Sequence, residues 1–123
     1  MKTRRSHEER RTATREALLE AAVEVIAEVG YRDGTTTLIA KRAAVTRGAL
    51  QYHFPAREDL VLAVIDRVMT RINFELDVGA LQGEPLEMRV RELVRSYRAA
   101  FDSPYFTAAV QIFVGVRSDP VLS

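Results

Sequence analysis

Cysteine is absent from the 123 residues. That excludes disulfides, thiolate metal sites and cysteine nucleophiles, and it fits a reducing cytosol. Histidine occurs only twice, and no cysteine or clustered acid accompanies His53, so a metal site lacks its ligand set. The basic N-terminus runs into more charged residues instead of an apolar stretch, so the signal-peptide pattern is missing. No apolar run is long enough to span a bilayer. Strand alternation, internal repeats and low-complexity tracts are missing too. No nucleophile, base and oxyanion constellation can be assembled, so no enzyme activity and no cofactor are expected. The expected setting is cytoplasmic, with no membrane partner.

What is present suffices for a folded domain. Hydrophobic residues make up 47% of the chain, enough for a modest core at this length. The net charge of +1 hides a strong division. Residues 1–15 carry +4, residues 16–30 carry −4, residues 31–57 carry +4, residues 58–78 carry −3, and the remainder is balanced. Positive charge is thus concentrated in an N-terminal arm and in residues 31–57, a pattern typical of a local nucleic-acid surface.

The second basic region contains TTTLIAKRAAVTRGALQYHFPAR, Thr35 to Arg57. It reads as two short helices joined by a tight turn. Thr35 or Thr36 caps the first, and Thr46 caps the second, because a threonine hydroxyl accepts from an orphan backbone N–H. Ile39, Ala40 and Ala43 fall on one face of the first helix. In the second, Arg47 to His53, Ala49 and Leu50 point inward with Phe54 one turn on. Arg47, Gly48, Gln51, Tyr52 and His53 are left at the front or the rim. Such a helix suits the major groove of DNA. Pro55 ends it. Gly48 either lets the two helices approach closely or admits DNA backbone. Tyr52 either lays its ring on sugars or a thymine methyl, or is simply half-buried.

IAKRAAVTRGALQYHF, followed by Pro55, Ala56, Arg57, Glu58, Asp59 and Leu60, resembles the DNA-binding head of the tetracycline-repressor (TetR) family. The match spans roughly Arg11 to Val68. Three positions depart from the family pattern: Ala44 replaces a glycine, Gln51 a phosphate-contacting tyrosine, and Arg57 a lysine. The resemblance implies a helix-turn-helix at about residues 36–53. Thr35, Thr36, Thr46, Arg47, Gly48, Gln51, Tyr52, His53 and Arg57 are then the candidate DNA-binding residues, with Arg57 reaching a phosphate. If the turn keeps the family geometry, Ala44 is strained.

Around this motif the chain reads as helices throughout. Met1 to Arg11 is a polar arm with Lys2, Arg4, Arg5, Arg10 and Arg11, expected to be mobile at its start; such arms enter the minor groove, lie along phosphates or are simply solvated. A helix from about Thr12 to Val29 carries Leu18, Ala21, Ala22, Val25, Ile26 and Val29 on one stripe. Glu16, Glu20, Glu24 and Glu28 form a solvated row on another, and Gly30 stops the helix. A long helix begins at Glu58 and Asp59 and runs to about Asp77, its apolar face ending at Leu76. Val78 to Pro85 is a linker. Leu86 to Phe101 is helical, with Met88, Leu93, Val94, Tyr97, Ala100 and Phe101 inward. Tyr105 to Gly115 follows, with Phe106, Ala109, Val110, Ile112 and Phe113 apolar, and Arg117 to Pro120 is a connection. Phe101, Tyr105, Phe106 and Phe113 line a ligand pocket or, more simply, a core.

The expected fold is therefore all-α: a three-helix helix-turn-helix head, a long connecting helix and further helices of an incomplete regulatory domain. The expected domains are 1–57 and 58–123. The resemblance implies an effector-responsive repressor that binds double-stranded DNA, takes an unknown small-molecule effector, and forms a homodimer when full length. It also implies a missing C-terminal half. The competing expectation is a shortened helical protein that associates with itself or with a full-length relative without binding DNA tightly.

Overall fold

A computed structural model of the chain describes residues 2–75 and 81–118, and for residues 2–5 and 73–75 the backbone alone. Six helices follow one another: α1 Lys2–Val29, α2 Thr36–Ala43, α3 Arg47–His53, α4 Arg57–Glu75, α5 Leu86–Phe101 and α6 Pro104–Val116. No strand occurs among the described residues, and the fold is all-α. Leu76 and Asp77, the linker residues Val78 and Gly79, and Asp119 and Pro120 lie outside the described residues.

Local chemistry accounts for most helix ends. Thr35, not Thr36, caps α2, its hydroxyl accepting from Leu38 N at 3.2 Å. Thr46 caps α3 in the same way, accepting from Ala49 N at 3.0 Å. Ser103 caps α6, and Pro104 takes the first position, where its missing N–H costs nothing. Gly30 ends α1 at φ +92, a conformation that L side chains rarely adopt, while its N–H closes on Ile26 O at 2.9 Å. Glu58 and Asp59 occupy the first turn of α4, where the macrodipole favours acids.

The first correction concerns the N-terminal arm. It is not an irregular tail: α1 starts at Lys2, ten residues before the expected Thr12. Between residues 2 and 29 there is no glycine or proline, so nothing breaks a helix once Leu18 to Ile26 anchor it in the core.

That core joins Leu18, Ala22, Val25 and Ile26 of α1 to Ile39 and Ala40 of α2, Leu50 and Phe54 around the end of α3, and Leu60, Val64 and Val68 of α4. It continues without a break into Ala108 and Ile112 of α6, which packs on both α1 and α4. Each large aliphatic side chain buried here contributes roughly 1.5–3 kcal/mol of transfer free energy. At the contact of α6 with the loop after α1, a Cβ on Gly115 would stand 2.4 Å from the Tyr31 ring, so the close approach requires glycine.

The second correction concerns α5 and α6. Met88, Val94, Tyr97 and Phe101 are exposed, and on α5 only Ala100 is buried. On α6, Ala108 and Ile112 face inward while Val110 and Phe113 face out. Val29 at the end of α1 is also exposed. Periodicity marks which face of a helix is apolar; it does not say that a neighbour covers that face.

Candidate nucleic-acid interface

The turn between α2 and α3 is closed by backbone. Ala44 sits at φ 58, ψ 40, the left-handed region, and is the only non-glycine residue with positive φ among those described. Its N–H donates to Lys41 O at 3.1 Å, and Val45 N donates to Ala40 O at 3.0 Å. Two of the last carbonyls of α2 are thereby satisfied, in the manner of a glycine C-cap. The methyl group makes this conformation cost roughly 1–2 kcal/mol. Arg42 then clamps α2 to α1 through Glu24 at 3.2 Å and Glu28 at 2.5 Å. The bond from Arg42 holds the Glu28 carboxyl below its ordinary range, and Glu28 in turn raises the guanidinium.

The geometry of α3 follows from its buried back. Leu50 and Phe54 are in the core, so Arg47, Gly48, Gln51 and Tyr52 turn outward, with Tyr52 64% exposed. The half-burial alternative for Tyr52 is thereby settled against. His53 is half-buried, its ring 5.2 Å from Tyr52 edge-on and 6.4 Å from Phe54. Thr46 and Thr35 are exposed at the two helix starts, and Thr36 is half-buried. Gly48 has open space around it: an added Cβ would meet only Thr46 Oγ1 at 3.9 Å, so no close helix approach explains the glycine.

Arg57 is placed differently from the rest. It opens α4, donates to Tyr31 O at 2.5 Å and lies 4.9 Å over the Tyr31 ring. Its guanidinium thus ties the start of α4 to the loop after α1. Two arginines outside the candidate set, Arg11 of the polar arm and Arg15, lie beside α3 as well. Arg11 sits 5.9 Å over the Tyr52 ring and Arg15 5.1 Å over the Phe54 ring. The only signal for them was the charge of the arm, because their aromatic partners are some forty residues away in the chain.

A polar cluster behind the interface also escaped the sequence. Arg67 of α4 pairs with Glu16 and, at 2.7 Å, with Glu20 of α1, and the Tyr105 hydroxyl of α6 donates to Glu20 at 2.7 Å. Burial opposes the charge on Arg67, but the two glutamates more than offset it and its pKa rises. Burial and the bond to Glu20 push the Tyr105 phenol up. Among the described residues no group of three or more His, Cys, Asp or Glu side chains is placed to hold a metal ion.

With this geometry in place, residues 18–64 match the family model "Bacterial regulatory proteins, tetR family". The chain is 26% identical over 119 residues to the HTH-type transcriptional regulator CymR of Pseudomonas putida, covering 97% of this chain and 59% of that protein. Residues 18–64 carry the TetR-family DNA-binding head. The A-factor receptor protein of Streptomyces griseus is 33% identical over 73 residues, 59% of this chain and 26% of that protein. A solved structure described as "Molecular basis for control of antibiotic production by a bacterial hormones" superposes with a TM-score of 0.70 at 31% identity, over 86% of this chain and 56% of that one. The chain thus spans 59% of the length of one of these curated relatives and 26% of the other. The family match runs from the buried half of α1 to the middle of α4; the first turns of α1 and all of α5 and α6 lie beyond it. Among the described residues no helix is long and apolar enough to cross a membrane.

Proposed function

We propose that this chain is the DNA-binding part of an effector-responsive transcriptional regulator, most simply a repressor, acting on operator DNA in the cytoplasm. The observation that carries the reading is α3: its back is locked into the core by Leu50 and Phe54, while Arg47, Gln51 and Tyr52 project from a basic front. Arg47 and Gln51 lie one turn apart and take base edges in the major groove. Thr35, Thr46 and Gly48 offer hydroxyl and backbone groups to phosphates, Tyr52 and His53 meet sugars or phosphates at the rim, and Thr36 supports the start of α2. Arg57 spends one N–H on Tyr31 O and turns its remaining donors to a phosphate. The domain division, a head to residue 57 and a regulatory part beyond it, and a homodimer of the longer protein belong to the same reading.

An apolar groove of about 570 Å³ between α4 and α6, lined by Ile65, Val68, Met69, Val110 and Phe113 among others, is the natural seat for an apolar small-molecule effector. Binding there would bias α4, which carries the head, between DNA-competent and incompetent settings. The relatives are transcriptional regulators, and no catalytic step is proposed.

The exposed apolar faces of α5 and α6 favour one other reading, a helical protein that associates with itself or with a longer relative. Light scattering of this chain with and without random-sequence duplex separates the two. A complex that forms at low salt and dissociates as salt rises supports the regulator. Self-association with no duplex uptake at any salt supports the alternative. Within the regulator reading, Gln51→Ala should relax preference at one base pair by about 1–3 kcal/mol and leave the salt slope unchanged. A flattened slope with intact preference would instead make Gln51 a backbone anchor.

A further inference from the structure

We infer that the N-terminal half of α1 is a second DNA-contacting surface, which lies along the phosphates flanking the bases under α3. The inference rests on the regulator reading and adds a site to it. Its starting point is one helical stripe. Arg11, Arg15, Leu18, Ala22 and Val25 recur at steps of four, three, four and three, so they share a face of α1. From Leu18 onward the stripe is buried in the head. Before Leu18 none of the described residues of α1 is buried, and the same face carries arginines, with Glu8 one turn before Arg11. The stripe is apolar where protein covers it and largely basic where it overhangs.

The overhang is directed at α3. Arg11 and Arg15 stand over the rings of Tyr52 and Phe54, beside the end of the helix whose front is exposed. A guanidinium that stacks on an aromatic face keeps its N–H fork for a phosphate. These cations also differ from others in the molecule. Arg42, Arg67, Arg91 and Arg95 each have a carboxylate partner, whereas Arg10, Arg11, Arg15, Lys41 and Arg47 have none among the described residues. Of these, Arg11 and Arg15 stand beside the end of α3, and Arg47 opens it.

Helical structure decides the mode of contact. An extended arm can thread the minor groove, but that groove is only about 6 Å wide and a helix with side chains is about 10–12 Å across. The residues of α1 before Leu18 form a rod about 24 Å long at 1.5 Å per residue. Such a rod must lie on the backbone, where it adds affinity and register without reading sequence.

The test compares the full chain with Arg11→Ala and with Arg10→Ala, on a duplex that the chain itself selects from a random pool. Arg10 carries the same charge but points about 100° away around the helix. Hydroxyl-radical footprints and salt titrations are recorded for all three. Arg11→Ala is expected to lose protection on the flank of the site and to lower the salt slope by roughly one unit. Arg10→Ala is expected to keep the flanking protection, and Arg11→Lys to recover the slope. Unchanged flank and slope in Arg11→Ala, or equal losses in the two alanine variants, overturn the inference while leaving α3 as the reading element. No footprint by the parent chain on any duplex overturns the regulator reading itself.

Discussion

In the head, Leu18, Ile26, Ile39, Leu50 and Phe54 are each at most 3% exposed; along α5, Leu86, Val90, Val94, Tyr97 and Phe101 are 48–68% exposed. Both sets recur at helical spacing, and both would be read as core from the sequence. The difference lies in what surrounds them. The head helices bury their central apolar stripes against one another, with α1 packed on α2, α4 and α6. α5 meets α4 and α6 along one edge and leaves its stripe open. An amphipathic helix announces that a partner is needed, and only the neighbours decide whether it is present. A contiguous open stripe of this kind is characteristic of a surface that another element covers.

The sharpest way to break this comparison is to truncate one residue of each kind. Leu50→Ala should cost about 2–5 kcal/mol, because it removes transfer energy and leaves a cavity among packed neighbours. Val94→Ala should stay within about 0.5 kcal/mol. Thermal melts of the two variants give the contrast directly; a large loss from Val94→Ala would mean that the α5 stripe is covered in solution.

Two glycines offer the next test. Gly115→Ala drives a Cβ into the Tyr31 ring where α6 meets the loop after α1, and should cost about 1–3 kcal/mol. Gly48→Ala meets open space on α3 and should raise stability by up to about 1 kcal/mol through helix propensity alone. Equal melting shifts would show that α6 does not close on the head as described.

A smaller effect is expected at Ala44. Ala44→Gly relieves a left-handed alanine but gives the unfolded chain more freedom, so the net gain should be below about 1 kcal/mol. A fall in melting temperature would mean that the turn has another shape.

The smallest effects come from pH, and they distinguish the α1–α6 contact from the α1–α2 contact. The Tyr105 phenol is held above its ordinary value of 10.0 by burial and by Glu20. Its stabilisation is complete below that value and is lost as pH rises through the folded pKa. Tyr105→Phe should therefore flatten the alkaline limb of the stability profile. The Glu28 carboxyl is held below 4.5 by Arg42. What it contributes is present above that value and lost as pH falls through the folded pKa, so Glu28→Gln should flatten the acid limb. Denaturant midpoints across both limbs test the pair.

How far the sequence could be read depended on the distance between partners. The capping threonines, the stop at Gly30, the back of α3 at Leu50 and Phe54, and the left-handed Ala44 all depend on residues within a turn or two. Each was legible, although the choice between Thr35 and Thr36 needed coordinates. The start of α1 was not legible, because the arm's polarity suggested disorder while the absence of any breaker let the helix continue. The tie of Arg57 to Tyr31 was not legible, because the two lie 26 residues apart. Tyr105 and Glu20, 85 residues apart, left no trace in spacing.

By itself, then, the sequence determined the helical class, the helix-turn-helix and its exposed polar front. Caps, turns and periodicity act between near neighbours, and their chemistry is written in adjacent residues. The tertiary structure alone decided which apolar faces are covered, which arginines are paired, and that the basic end of α1 stands beside α3. Those outcomes turn on groups far apart in the chain, whose meeting is set by the packing of whole helices.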